Sequence, residues 1–112
     1  MIVLDGRLHE ISVVPFDVSD RGLTLADGLF ETLLVVDGRP FRRAAHLERM
    51  LAGAAALALP IGRDRLEADL DLLLAALGPG EAVVRLTLTR GPGGRGLTRP
   101  ANATPTVLVT RK

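Results

Sequence analysis

"AVVRLTLTRGPGGRGLTRPANATPT", Ala82 to Thr106, decides between two folds. Inside it, Gly91-Pro92-Gly93-Gly94-Arg95-Gly96 satisfies the G-x-G-x-x-G pattern of a dinucleotide-binding turn, a device of parallel α/β sheets. That turn works only where a strand feeds the glycines and a helix leaves them, because the helix N-terminus supplies donors and a dipole for the pyrophosphate. Ala82 to Thr89 is rich in β-branched residues and alternates around Arg85, so a strand enters. No regular helix leaves: Pro100 and Pro105 exclude one, and the Thr and Asn residues between them favour extended or turn geometry. A Walker loop is excluded as well, since no Lys-Ser/Thr follows the glycines. The segment reads as strand, glycine loop and last strand, the last being "TPTVLVTR", Thr104 to Arg111.

Working outward, "LFETLLVVDGRPFR" (Leu29 to Arg42) holds two β-rich runs around Asp37-Gly38, the strongest short hairpin signal. At the start, "MIVLDG" and "EISVVPF" read as short strands around a turn at Asp5-Gly6, with Pro15 marking the second as an edge or a strand end. "SDRGLTLADG" (Ser19 to Gly28) is a polar, glycine-containing connection, longer than chain reversal requires. From Ala44 to about Leu59, helical spacing places Leu47, Met50, Leu51, Ala54 and Ala58 on one stripe, and Pro60 stops the helix. A second amphipathic helix follows from Asp64. Asp64 with Glu67 suggests its cap, and Leu66, Leu70, Leu73, Leu74 and Leu77 form its buried stripe. The expected fold class is α+β: one domain over residues 1–112, an antiparallel-leaning sheet with two helices packed on one side.

At 112 residues the chain supports one modest core. Fourteen basic against 13 acidic residues and three phenylalanines (Phe16, Phe30, Phe41) argue against a nucleic-acid partner, which asks for a basic face and stacking aromatics. There is no cysteine, hence no disulfide and no thiolate metal site. The start "MIVLDGRLHE" turns charged within five residues, so no signal peptide or membrane span is expected and a cytoplasmic location is the default. Thirteen of the 14 basic residues are arginine; the one lysine is Lys112, a poor position for covalent catalysis inside a pocket.

Among chemistry-bearing residues, His46 and Arg49 lie three apart and share a helix face. His9 and His46 find no carboxylates at metal-ligand spacing, so no metal is expected. Asp27 and Glu31 have no His or Ser partner in the sequence pattern that would mark them for acid–base work. Arg85 interrupts an apolar strand: either its guanidinium meets an anion or a cavity, or that face of the strand is open to solvent. Arg90 and Arg95 flank the glycines, where backbone N–H groups and a guanidinium fork suit a carboxylate.

Three motifs in order, "RGLTLADGLFET", "DGRPFRRAAHLERM" and "VVRLTLTRGPGGRG", resemble the N-terminal domain of the class IV aminotransferases, the fold-type IV pyridoxal-phosphate enzymes. That family includes branched-chain and D-amino-acid aminotransferases and aminodeoxychorismate lyase. The resemblance implies pyridoxal 5'-phosphate as cofactor, an amino acid, keto acid or aminodeoxychorismate as substrate, and a homodimer. It assigns Arg49 to the cofactor phosphate, with His46 shaping the same helix edge. It places Phe30 beside the substrate and makes Arg95 a candidate carboxylate contact in a loop over the active site, often the neighbouring subunit's, with Arg85 and Arg90 as weaker candidates. The loop "TRGPGGRGL" is closest to those of the lyase and D-amino-acid branches, and Leu25 stands where branched-chain enzymes tend to carry bulkier aromatics. In such enzymes the lysine that binds the cofactor covalently lies in a second domain, absent from this chain, so the chain by itself is expected to be inactive.

Overall fold

Asp5-Gly6 and Asp37-Gly38 each place two successive residues in the left-handed region, at φ 46° and 81° and at φ 50° and 76°, which is the backbone of a two-residue hairpin. These turns organise the computed structural model, which describes residues 1–94 and 96–112. The first joins β1 (Ile2–Leu4) to β2 (Arg7–His9); the second joins β3 (Gly28–Val36) to β4 (Arg39–Pro40). With β5 (Glu81–Thr89) and β6 (Thr106–Arg111) they make a six-stranded sheet in the order β2-β1-β6-β5-β3-β4, antiparallel at every pairing. The helices are α1 (Arg21–Leu25), α2 (Arg43–Ala56) and α3 (Arg63–Ala76). The α+β class and the long helix pair match the expectation.

The pleat sorts the side chains. Leu33 and Val35 of β3, with Val84, Leu86 and Leu88 of β5, are buried among Leu47, Met50 and Ala54 of α2 and Leu66, Leu70 and Leu73 of α3. The opposite face carries Phe30, Leu34, Val36 and Val83, all exposed.

Four local expectations need correction. The strand after Asp5-Gly6 is Arg7–His9 and not "EISVVPF": the turn pairs Leu4 with Arg7, and three-residue β1 has no further partner to offer. Ile11 and Val13 beyond it are exposed. "SDRGLTLADG" contains helix α1, nucleated where the Asp20 carboxylate accepts from the Gly22 N–H at 2.8 Å. Helix α2 stops at Ala56, ahead of Pro60, through a Schellman closure: Leu59 N–H donates to Ala54 O (2.8 Å), Ala58 N–H to Ala55 O (3.1 Å), with Ala58 left-handed at φ 54°. That closure exposes Ala58 and buries Leu59. In α3, Gly62 is the N-cap and Asp64 sits inside the first turn, favourable to the dipole without a capping bond.

Asp69 of α3 is buried beneath the Asp5-Gly6 turn, and its Oδ2 has no hydrogen-bond partner among the described residues. Burial pushes its carboxyl up from the usual range, Arg65 opposing and Asp5 adding to the shift. A raised folded pKa gives stability that is present below the unfolded pKa and lost as pH rises through the folded one. Asp69→Asn should therefore stabilise the chain by about 1–2 kcal/mol near neutral pH and leave it unchanged below about pH 3. Thermal melts of both proteins at the two pH values test this; coincident melts at neutral pH would show a solvated carboxylate.

Candidate anion site, open-face cavity and glycine loop

Alternation along β3 directs Glu31 to the helix side, where it is only 6% exposed in an otherwise apolar row. A buried carboxylate needs partners. Helix α2 supplies them from one face: Arg49 Nε donates to Oε2 and Oε1 at 2.9 and 3.1 Å, Arg49 Nη2 to Oε1 at 2.6 Å, and His46 Nδ1 to Oε1 at 2.7 Å. An ionised carboxylate only accepts, so His46 Nδ1 carries the proton. Burial would raise the Glu31 carboxyl, but the hydrogen bonds from Arg49 and His46 outweigh it and hold the group below its ordinary range. The hydrogen bond to Glu31 likewise keeps Arg49 firmly charged.

The Arg49 side chain is 72% exposed, so the fork grips Glu31 from the rim. Its Nη1 makes no hydrogen bond among the described residues. Arg49 borders a cavity of about 340 Å³ lined also by Arg42, Ala45 and His46, with no carboxylate in the lining. This is the chemistry of an oxyanion site: fixed donors, positive charge and room for a small group.

Phe30 neighbours Glu31 in β3 but points to the opposite face. There the Arg85 guanidinium carbon lies 3.9 Å from the Phe30 ring centroid, a cation–π stack across the β3–β5 pairing. The two border a cavity of about 230 Å³ floored by Gly28 and Thr87 and closed by Gly22 and Ala26 of the α1 region. Gly28 is required there, because a Cβ would stand 2.4 Å from Leu88 O. Arg85, left open between anion and solvent by its spacing, faces this cavity on the side of the sheet opposite α2 and α3. Among the described residues it has no carboxylate partner.

Arg90 is placed differently. It is 3% exposed, and its nitrogens are engaged within the fold: Nε on Asp27 Oδ2 (2.7 Å), Nη1 on Ala58 O (3.2 Å), Nη2 on Leu57 O (2.7 Å). Arg21, equally buried, meets the same Asp27 oxygen through Nε (2.9 Å) and holds Gly96 O through Nη1 (3.1 Å). Two guanidinium groups on one carboxylate thus tie α1, the end of α2 and both ends of the glycine loop together. Arg95 lies outside the described residues. Sequence reading weighed Glu31 and Asp27 only for acid–base work and did not single out Arg21. The available signals for their structural roles were a charge on the apolar face of a strand and an overlong connection carrying Asp20, Arg21 and Asp27.

The structure is thus an α+β domain in which a buried carboxylate holds a rim arginine that lines a small cavity, and in which a separate two-arginine clamp on Asp27 holds the glycine loop. Residues 28–112 match the amino-transferase class IV family, and the chain belongs to that family. It is similar to 4-amino-4-deoxychorismate lyase from Pseudomonas aeruginosa, whose crystal structure it matches at TM-score 0.88 and 39% identity over all of this chain and 39% of that one. A hypothetical aminotransferase from Mycobacterium tuberculosis, in a PLP-bound form, matches at TM-score 0.74 and 30% identity, over 100% and 39% of the two chains. D-alanine aminotransferase from Listeria innocua is 34% identical over 92 residues, 80% of this chain and 32% of the relative. The chain thus spans about a third to two fifths of the length of these relatives. Among the described residues, no helix is long and apolar enough to cross a membrane.

Proposed function

We propose that this chain forms the N-terminal wall of a pyridoxal-phosphate-dependent class IV enzyme that transfers the amino group of a D-amino acid or branched-chain amino acid. One observation carries the reading: Arg49 is held by Glu31 through Nε and Nη2 and lines a cavity that Arg42 and His46 also line. That donor set fits a phosphate dianion, so Arg49 would hold the cofactor phosphate, with His46 and Arg42 beside it. Bound pyridoxal phosphate supplies an electron sink for chemistry at the amino acid's α-carbon. Phe30 and Arg85 would pack against the substrate and meet its carboxylate, and Arg95 would add a loop contact. The chain's one lysine, Lys112, follows β6 directly, so we expect this chain alone to bind the cofactor without turning it over. Acting as a homodimer in the cytoplasm completes the proposal.

A second reading within the family is elimination from aminodeoxychorismate. The likeness to the Pseudomonas lyase over the whole chain favours it, as does Arg85, whose charge has no acidic partner among the described residues and suits a substrate with an additional carboxylate.

Arg49→Ala should lower the affinity of the chain for pyridoxal 5'-phosphate by about 10–100-fold, the loss of one charge-assisted contact. Equal titration curves for the two proteins would remove Arg49 from the cofactor site. Assay of the protein from the native reading frame with D-alanine and a keto acid, against aminodeoxychorismate, separates the two readings.

A further inference from the structure

Glu31 poses an electrostatic puzzle. It puts a full negative charge within hydrogen-bond distance of the arginine read above as an anion contact, and a neighbouring carboxylate by itself repels an anion. We infer that Glu31 is a positioning residue: its carboxylate takes the Nε/Nη2 edge of Arg49 and so fixes the Nη1 side toward the Arg42–His46 cavity, and this orientation outweighs the repulsion. The inference rests on the reading of that cavity as a phosphate site.

The reasons are geometric. Arg49 is mostly exposed, and an exposed arginine explores many rotamers, losing about 2 kcal/mol of freedom when an anion must fix it. A guanidinium has two edges for bidentate contact, and Glu31 consumes one with three short contacts, leaving the other ordered before any ligand arrives. Glu31 is itself immobile, being buried in the central sheet between Phe30 and Thr32, whose side chains take the other face. His46 braces the same oxygen, so the carboxylate cannot swing away with Arg49. At the mouth of the cavity Arg42 holds a left-handed backbone (φ 57°), uncommon for a residue with a side chain. Charge at this site is arranged on prepared backbone and side-chain geometry, and Glu31 is the fixed point.

The proposal makes a prediction of sign. Removing a repelling charge without other effect would tighten anion binding; removing a positioning group loosens it. Inorganic phosphate and pyridoxal 5'-phosphate are titrated into the 112-residue chain, its Glu31→Gln variant and Arg49→Ala, followed by ³¹P NMR. We expect Glu31→Gln to weaken phosphate binding about tenfold although the site gains net positive charge. Unchanged or tighter binding overturns the inference. Arg49→Ala losing affinity while Glu31→Gln keeps it would sink the inference and leave the phosphate site standing; Arg49→Ala binding as the unaltered chain does, or no binding by any of them, would sink both. Because Glu31→Gln is buried and can unfold, a second measurement uses the unaltered protein: the Arg49 side-chain NMR signals without ligand. Distinct Nη protons from hindered rotation are expected, and a freely rotating guanidinium overturns the proposal.

Discussion

Asp27→Asn is expected to cost the chain about 3–5 kcal/mol, because it leaves Arg21 and Arg90 without their shared carboxylate. Both arginines are 3% exposed and cannot turn to water in place of Asp27. Their other contacts are carbonyls: Gly96 O for Arg21, and Leu57 O and Ala58 O for Arg90. The Leu57 and Ala58 carbonyls lie at the C-terminal end of α2, at the negative end of its dipole, which helps to solvate Arg90 but supplies no full charge. The loss approaches the total stability of a domain of this size, so urea unfolding should show a lowered midpoint or a chain partly unfolded without denaturant. A change below about 1 kcal/mol would mean that water reaches the pair as at an exposed ion pair.

The same clamp sets a pH dependence. Burial alone would raise the Asp27 carboxyl, but hydrogen bonds from Arg90 and then Arg21 hold it below the ordinary range. A depressed folded pKa contributes stability that is present above the unfolded value and lost as pH falls through the folded one. The acid unfolding limb of the unaltered protein should therefore be steeper than that of Asp27→Asn. Glu31 acts in the same direction and Asp69 in the opposite one.

Gly91→Ala is the second large effect, expected at about 2–5 kcal/mol from backbone strain and overlap combined. Gly91 stands at φ 88°, and a Cβ there would lie 1.9 Å from Thr104 O and 2.9 Å from its carbonyl carbon, both backbone atoms that cannot rotate aside. Its carbonyl also accepts the Arg21 N–H at 2.9 Å, so a shift would propagate into α1 and the Asp27 clamp. Gly93 is the control. It has φ 116° but nothing within 4 Å of a Cβ, so Gly93→Ala should cost about 1 kcal/mol from conformation alone. Equal losses in the two variants, measured by denaturant unfolding, would rule out the close approach to Thr104.

The glycine pattern that imitates a nucleotide turn thus has a local explanation. Gly91 is a glycine because two backbone segments touch, and Gly93, Gly94 and Gly96 because the chain turns at positive φ. None of this needs a helix N-terminus.

The elements governed by short-range physics were readable from sequence. Both Asp-Gly hairpins follow from two residues that tolerate left-handed backbone, and the two long helices from a leucine and alanine stripe at helical period. Absence of a helix after the glycines followed from two prolines. From these alone came the α+β class, and Arg49 with His46 as one helix face. The errors in the elements were local: β2 is short because its hairpin partner β1 is short, and the ends of α1, α2 and α3 were set by caps within a few residues. Where reading of the charged sites failed, the deciding contact joined segments distant in sequence. Glu31 looked like a lone acid until α2 brought two donors to it from 15 and 18 residues away, and Asp27 met Arg90 across 63. Sequence fixes which side chains carry charge and how each segment can bend. Only tertiary packing decides which charges share a buried site, because burial is what forces a carboxylate to find its arginine and the burying elements come from separate segments of the chain.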